Sequence, residues 1–183
     1  MNGPGAHDLL HFWFEECQPV LWFRKDPDFD QQVRERFEAL CERALAGELR
    51  PWADDPDSAL ALVLLLDQLP RQLWRGTPEA FAGDAAALEL SLRALAMGWI
   101  EAEPRRERRQ FWLMPLMHSE DLAIQEQGLE LFERFCDAET TAFARRRRDV
   151  IARFGRFPHR NEVLGRSSSA GELAFLKQPG SRF

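Results

Sequence analysis

Residues 26–47 read DPDFDQQVRERFEALCERALAG, and this stretch sets the grammar of the chain. Asp26 is a helix-capping side chain, Pro27 suits a first helical turn because its missing N–H has no intrahelical partner there, and Gly47 permits a left-handed ending turn. Between them Phe29, Val33, Phe37, Leu40 and Ala44 recur at three- and four-residue spacing. That is the period of a helix buried along one face, so a helix is predicted over 28–46.

The same signals repeat on either side. Ala6 to Cys17 carries an apolar stripe at Leu9, Leu10, Phe12, Trp13 and Phe14, and a third helix is predicted from Asp57 through Leu69, where Pro70 stops or restarts the chain. Thr77-Pro78 opens a fourth that runs to Gly98, and a fifth is predicted from Glu103 to about Leu113, before Pro115. Ser119 caps a sixth over 120–136, and a seventh over 139–154 ends at Gly155. Ser169 with Glu172 forms a capping box for a last helix through Leu176. No segment alternates apolar and polar residues as a strand does. The expectation is an all-α chain of about seven or eight helices in antiparallel hairpins, forming one domain over 1–183.

Composition narrows the function classes. Apolar residues make up 45% of the 183 residues and charged residues 30%, which supports a packed core rather than disorder. The longest nearly uncharged apolar run, Ala59 to Leu66, is far shorter than the ~20 residues of a membrane-spanning helix, and no basic flank precedes an apolar stretch near Met1. Three separated cysteines, Cys17, Cys41 and Cys136, make neither a disulfide framework nor a thiolate zinc site, so a reducing, cytoplasmic setting is expected. There is no tyrosine, and only Lys25 and Lys177 accompany the arginines, neither in a phosphate-loop context. The net charge of −6 is uneven, with 13 acids against 6 bases in residues 1–60. Arginines gather at Arg105, Arg106, Arg108 and Arg109, where nearby acids make a solvated helix face the plain reading, and again at Arg145 to Arg148, Arg153, Arg156, Arg160 and Arg166.

Four stretches are polar at helix ends or turns, where side chains can face a cleft. They are Asp67-Gln68-Leu69-Pro70-Arg71, Phe81 with Asp84, Met117-His118-Ser119-Glu120-Asp121 with Gln125, and Arg153-Phe154-Gly155-Arg156-Phe157-Pro158-His159-Arg160-Asn161. Together with Trp22-Phe23, Asp26, Phe29-Asp30 and Leu164-Gly165-Arg166, they closely resemble a bacterial family catalogued as domain of unknown function 924, over about residues 10–176. The resemblance implies an all-helical fold of the tetratricopeptide-like superfamily and implies no activity. The 34-residue self-similarity of tetratricopeptide arrays is not found. Where the family pattern has a histidine a few residues before Asp149, this sequence has Arg145 to Arg148.

The residues themselves suggest the chemistry to look for. His118 with Asp121 three positions on is a candidate acid/base pair, and His159 is the second candidate imidazole. A metal site needs three or four protein ligands and no such set is evident, so neither metal nor cofactor is expected. Gly155 and Pro158 make a stiff loop displaying Arg153, Arg156, His159, Arg160 and Asn161, whose guanidiniums repel unless something negative joins them. Candidate acids within the chain are Asp67, Asp84, Glu120 and Asp121. One reading therefore places His118, Asp121, Arg156, His159 and Asn161 around a single pocket for a small anionic molecule, with Asp67, Arg71, Asp84, Glu120, Gln125, Arg153 and Arg160 binding the ligand. If the protein is an enzyme, His118 or His159 is its base, Asp121 or Asp67 orients it, and arginines hold the anion. The rival reading is a protein-interaction module whose polar residues are a structural ion-pair network. The chain's acidity opposes nucleic acid as a partner, and six tryptophans are assigned to packing rather than to a carbohydrate platform.

Overall fold

In the computed structural model, which describes residues 4–182, secondary structure is helical throughout and the described residues contain no strand. The described residues form, in order, the α-helices α1 Ala6–His11, α2 Pro27–Leu45, α3 Pro56–Val63, α4 Leu69–Leu73, α5 Asp84–Ala96, α6 Trp99–Ala102, α7 Arg106–His118, α8 Leu122–Phe135, α9 Ala138–Phe154 and α10 Ala170–Leu176. Wider π-turns extend α1 over Phe12–Glu16 and join α3 to α4 over Leu64–Gln68, and short 3-10 turns fill several connections. No described helix is long and apolar enough to cross a membrane.

Capping chemistry sets most boundaries. Asp26 accepts from the N–H groups of Asp28 and Phe29 at the head of α2, Asp55 from Asp57 and Ser58 at α3, and Ser169 with Glu172 closes the box at α10. Gly155 ends α9 with φ 71°, where a side chain would be strained. The main core joins α1, its π-turn, α2, the α3–α4 segment and α7, with Trp13, Phe12, Phe37, Phe111 and Trp112 fully enclosed. α7, α8 and α9 pack pairwise as successive hairpins. Gly128 makes room there, since a Cβ would stand 3.0 Å from Leu116 Cβ. A smaller cluster, Val150, Ile151 and Phe157 with Phe154 and Phe175, ties the C-terminal segment to α9.

Four sequence expectations are corrected. The chain does not stop at Pro70: Pro70 has no N–H for the Leu66 carbonyl, and the π-turn, in which the Leu69 N–H reaches Leu64 O, carries the helical path on to Leu73. Pro115 does not end α7, because residues 111–118 are all buried and their packing outweighs one lost backbone bond. His118 therefore closes α7 rather than opening the next helix, whose cap is Asp121 and not Ser119. The predicted Thr77–Gly98 helix is broken into a 3-10 turn at Pro78–Phe81 and α5, because Gly83 presses on the π-turn. A Cβ at Gly83 would lie 2.2 Å from Leu66 O. Proline-freed carbonyl, π-turn and glycine thus work together to bring Asp84, the first residue of α5, beside Arg71 in α4.

Candidate functional site: a buried Asp–His pair among arginines

Asp67 lies in the π-turn, where helices frequently carry functional groups, and is fully buried. Its Oδ2 accepts from Gln68 Nε2 at 2.6 Å and its Oδ1 stands 2.7 Å from His118 Nδ1. Burial alone would raise the Asp67 carboxyl, but His118, Arg71 and Gln68 outweigh it and hold the carboxyl well below the usual range. Burial pulls the His118 imidazole the other way, below its ordinary value, with Arg71 and Arg147 adding to the effect against the attraction of Asp67. At neutral pH the pair is therefore carboxylate and neutral imidazole, with the proton on Nδ1 directed at Asp67 and Nε2 left as the ring's acceptor.

A chain of charges adjoins this pair. Arg71 reaches the Asp67 backbone carbonyl, stands 3.5 Å from its carboxylate, and meets both oxygens of Asp84 at 2.9 and 3.0 Å. Arg160, from the 3-10 turn after α9, donates to Asp84 Oδ2 at 3.2 Å and to the His118 carbonyl at 3.0 Å. Both guanidiniums stand over Phe81, Arg71 at 5.4 Å and Arg160 at 4.6 Å from the ring centre, and Arg160 also over Phe157 at 4.6 Å. Arg147, from α9, donates to Met117 Sδ at 3.3 Å. Burial together with the charges of Arg71 and Arg160 lowers Arg147 to about 10, and burial with Arg71 lowers Arg160 to about 10 against the pull of Asp84. His159 is lowered to about 3 by burial and by Arg160 and Arg147, whereas burial and Asp67 raise Asp84 against the pull of Arg71 and Arg160. Three guanidiniums thus meet two carboxylates and two neutral imidazoles in a mostly enclosed volume.

Of the residues singled out from sequence, the structure brings together Asp67, Arg71, Asp84, His118, His159 and Arg160. The others are spent elsewhere. Asp121 is exposed and caps α8, accepting from Ala123 and Ile124, so of the two candidate carboxylates it is Asp67 that meets His118. Gln125 donates to the carbonyls of Met117 and Ser119 and so holds the chain on either side of His118. Glu120 takes Arg166 in a two-pronged pair at 2.7 and 2.9 Å and accepts from the Phe157 N–H. Asn161 joins Arg166 to Ser168, and Arg156 forks onto Glu172 at 2.7 and 2.9 Å while donating to Ser167 O. Arg153 lies over Phe154 on the outer face of α9. No group of three or more His, Cys, Asp or Glu suited to a metal occurs among the described residues.

Arg147 was visible in sequence only as one of four consecutive arginines. Its phase singles it out: Ala144, Arg147 and Ile151 follow at helical spacing, and Ala144 and Ile151 are buried. An arginine on the apolar stripe of a helix is the signal that finds it.

An all-helical protein with a buried Asp–His pair set among arginines is the class these features define. The chain belongs to a bacterial protein family of unknown function, DUF924, which it matches over residues 9–180. It is also similar to a solved structure, a protein of unknown function, ATU0120, from Agrobacterium tumefaciens, at 36% identity and a TM-score of 0.88, covering 94% of this chain and 96% of that one. No curated protein matches it.

Proposed function

We propose that the protein binds a small anionic molecule at the arginines around the Asp67–His118 pair. The observation that carries this reading is one guanidinium nitrogen of Arg160, whose two terminal nitrogens donate to Asp84 and to the His118 carbonyl. Its Nε is buried without a hydrogen-bond partner among the described residues, and an anionic oxygen would recover the ~1–3 kcal/mol that such a group forfeits. Bidentate guanidinium chemistry favours a carboxylate or phosphate oxygen. Once such a group is bound, neutral His118 offers Nε2 as a proton acceptor, with Asp67 steadying the imidazolium that forms. We assign the protein to the cytoplasm because Cys17, Cys41 and Cys136 stand as free thiols, which suits a reducing compartment.

The test is thermal melting of the parent and of Arg147→Gln against inorganic phosphate, sulfate and succinate. Ligand binding to the folded state alone raises the melting temperature with concentration. The parent is expected to show this with at least one anion, and Arg147→Gln is expected to lose it. No shift with any of the three would remove the reading.

A second reading is favoured by one observation. Asp84 and Arg160 join α4, α5, the end of α7 and the turn after α9, as a structural clamp would. The protein is then a tetratricopeptide-like scaffold for a protein partner, and anions leave its melting unchanged.

A further inference from the structure

α9 carries a second basic face, turned away from Arg147. A cleft of about 250 Å³ opens between this face and the C-terminal segment. Arg146, Val150, Arg153 and Phe154 line one wall, and Phe175, Pro179 and Gly180 the other. On the helix these positions fall at spacings of three, four and seven and make a single stripe, with Arg146 and Arg153 roughly 10 Å apart along the axis. The floor is apolar: Val150 is buried, and Phe154 and Phe175 are half-buried with ring centres 5.3 Å apart.

The two arginines make no ion pair among the described residues. Arg146 lies 4.3 Å from the ring centre of Phe143, itself 42% exposed, and Arg153 lies 4.7 Å from that of Phe154. Asp149, the acid on the same wall, is 60% exposed and stands 3.2 Å from Arg148 Nε without a hydrogen bond to it. A cleft with an aromatic floor and two guanidiniums outside any ion pair among the described residues asks for a molecule with an apolar part and an acidic part. The volume suits one ring, or a short apolar chain, bearing one acidic group.

We infer that this cleft is a binding site for a small amphipathic anion, a ring or short apolar group carrying a carboxylate or phosphate, held through its acid by Arg153 and Arg146 and through its apolar part by Phe154 and Phe175. This site is separate from the Asp67–His118 pair and does not depend on it. Both halves of the ligand are needed, because solvent-exposed guanidiniums alone hold simple anions weakly and a floor of this size alone holds a neutral ring weakly.

The experiment is amide-resolved NMR titration of the full chain with phenyl phosphate, phenylacetate, inorganic phosphate and benzyl alcohol, each to about 10 mM, a range that reads millimolar affinities. Saturable shifts at the Val150, Phe154 and Gly180 amides are expected with phenyl phosphate or phenylacetate, and the tighter of the two identifies the acid group. Inorganic phosphate and benzyl alcohol are expected to bind there at least about tenfold more weakly. Arg153→Gln should weaken the aromatic anion about tenfold, the worth of one charge-assisted bond. Asp149→Asn, which removes the like charge at the rim, should tighten it. The proposal is overturned if neither aromatic anion gives saturable shifts at those amides, if benzyl alcohol binds as well as they do, or if Arg153→Gln binds like the parent.

Discussion

Replacing Asp84 with alanine is the most informative single change, because Asp84 is the carboxylate that both Arg71 and Arg160 reach. The side chain of Arg160 is 8% exposed and that of Arg71 21%, so both guanidiniums would keep their charge with little water to replace the lost partner. Breaking a buried pair in this way costs on the order of 3 to 5 kcal/mol. Because the Asp84 side chain is 20% exposed, the lower part of that range is expected. Asp84 also stands in the first turn of α5, where a negative charge contributes about 0.3 to 1 kcal/mol through the helix dipole. For a chain of this length each kcal/mol moves the melting temperature by about 2 to 4 °C, so a fall of roughly 6 to 12 °C is expected. Asp84→Asn, which keeps an acceptor but not the charge, should fall between parent and alanine. Differential scanning calorimetry at pH 7 reads the drop, and repeating it in formate adds a second reading. A small carboxylate that occupies the vacated place at a hundred times its Kd would return about 2.7 kcal/mol. If Asp84→Ala melts within about 2 °C of the parent, the arginines are not held as described and the reasoning fails.

Three further outcomes follow from the same geometry. His118 and His159 both have imidazoles lowered by burial, so the unfolded chain binds protons first as pH falls below about 6.5. Stability is therefore full above that pH and declines below it, by up to about 1.4 kcal/mol per pH unit for each imidazole; denaturant titrations between pH 7 and pH 4 measure the slope, and His118→Asn should reduce it. Gly83→Ala forces a Cβ to 2.2 Å from Leu66 O, so α5 must retreat from the π-turn, at a cost of about 3 kcal/mol or more in urea unfolding; a neutral result would mean that this approach is not needed. Arg156→Leu removes the partner of Glu172 and should lower the melting temperature by the same amount with and without phosphate, whereas a phosphate-dependent difference would return Arg156 to the ligand site.

Helix existence was legible from local chemistry. Asp26 with Pro27, Ser169 with Glu172, and Gly155 mark helix ends because capping bonds and left-handed turns involve residues within one turn of each other. Prolines misled for the converse reason. Pro70 and Pro115 break helices in isolation, but here a π-turn and a wholly buried flank absorb them, and both are tertiary effects. Asp67 was visible as part of a polar stretch at a helix end, whereas its full burial is a tertiary result.

Local chemistry is enough for the helical class, for the caps at Asp26, Gly155 and Ser169, and for the identity of the polar residues worth following. Tertiary structure decided which of them meet. Asp121 is three positions from His118, yet its carboxylate is spent on backbone N–H groups at a helix start, a local bond that the cap geometry places within reach. Asp67 is 51 residues away from His118 and lies at 2.7 Å from its ring because α7 packs against the π-turn. Likewise Arg160 finds Asp84 across 76 residues, while its near neighbour Arg156 finds Glu172. Spacing along a chain limits contacts within one helix; contacts between helices follow from which faces bury together, and that is settled by the packing of the whole core.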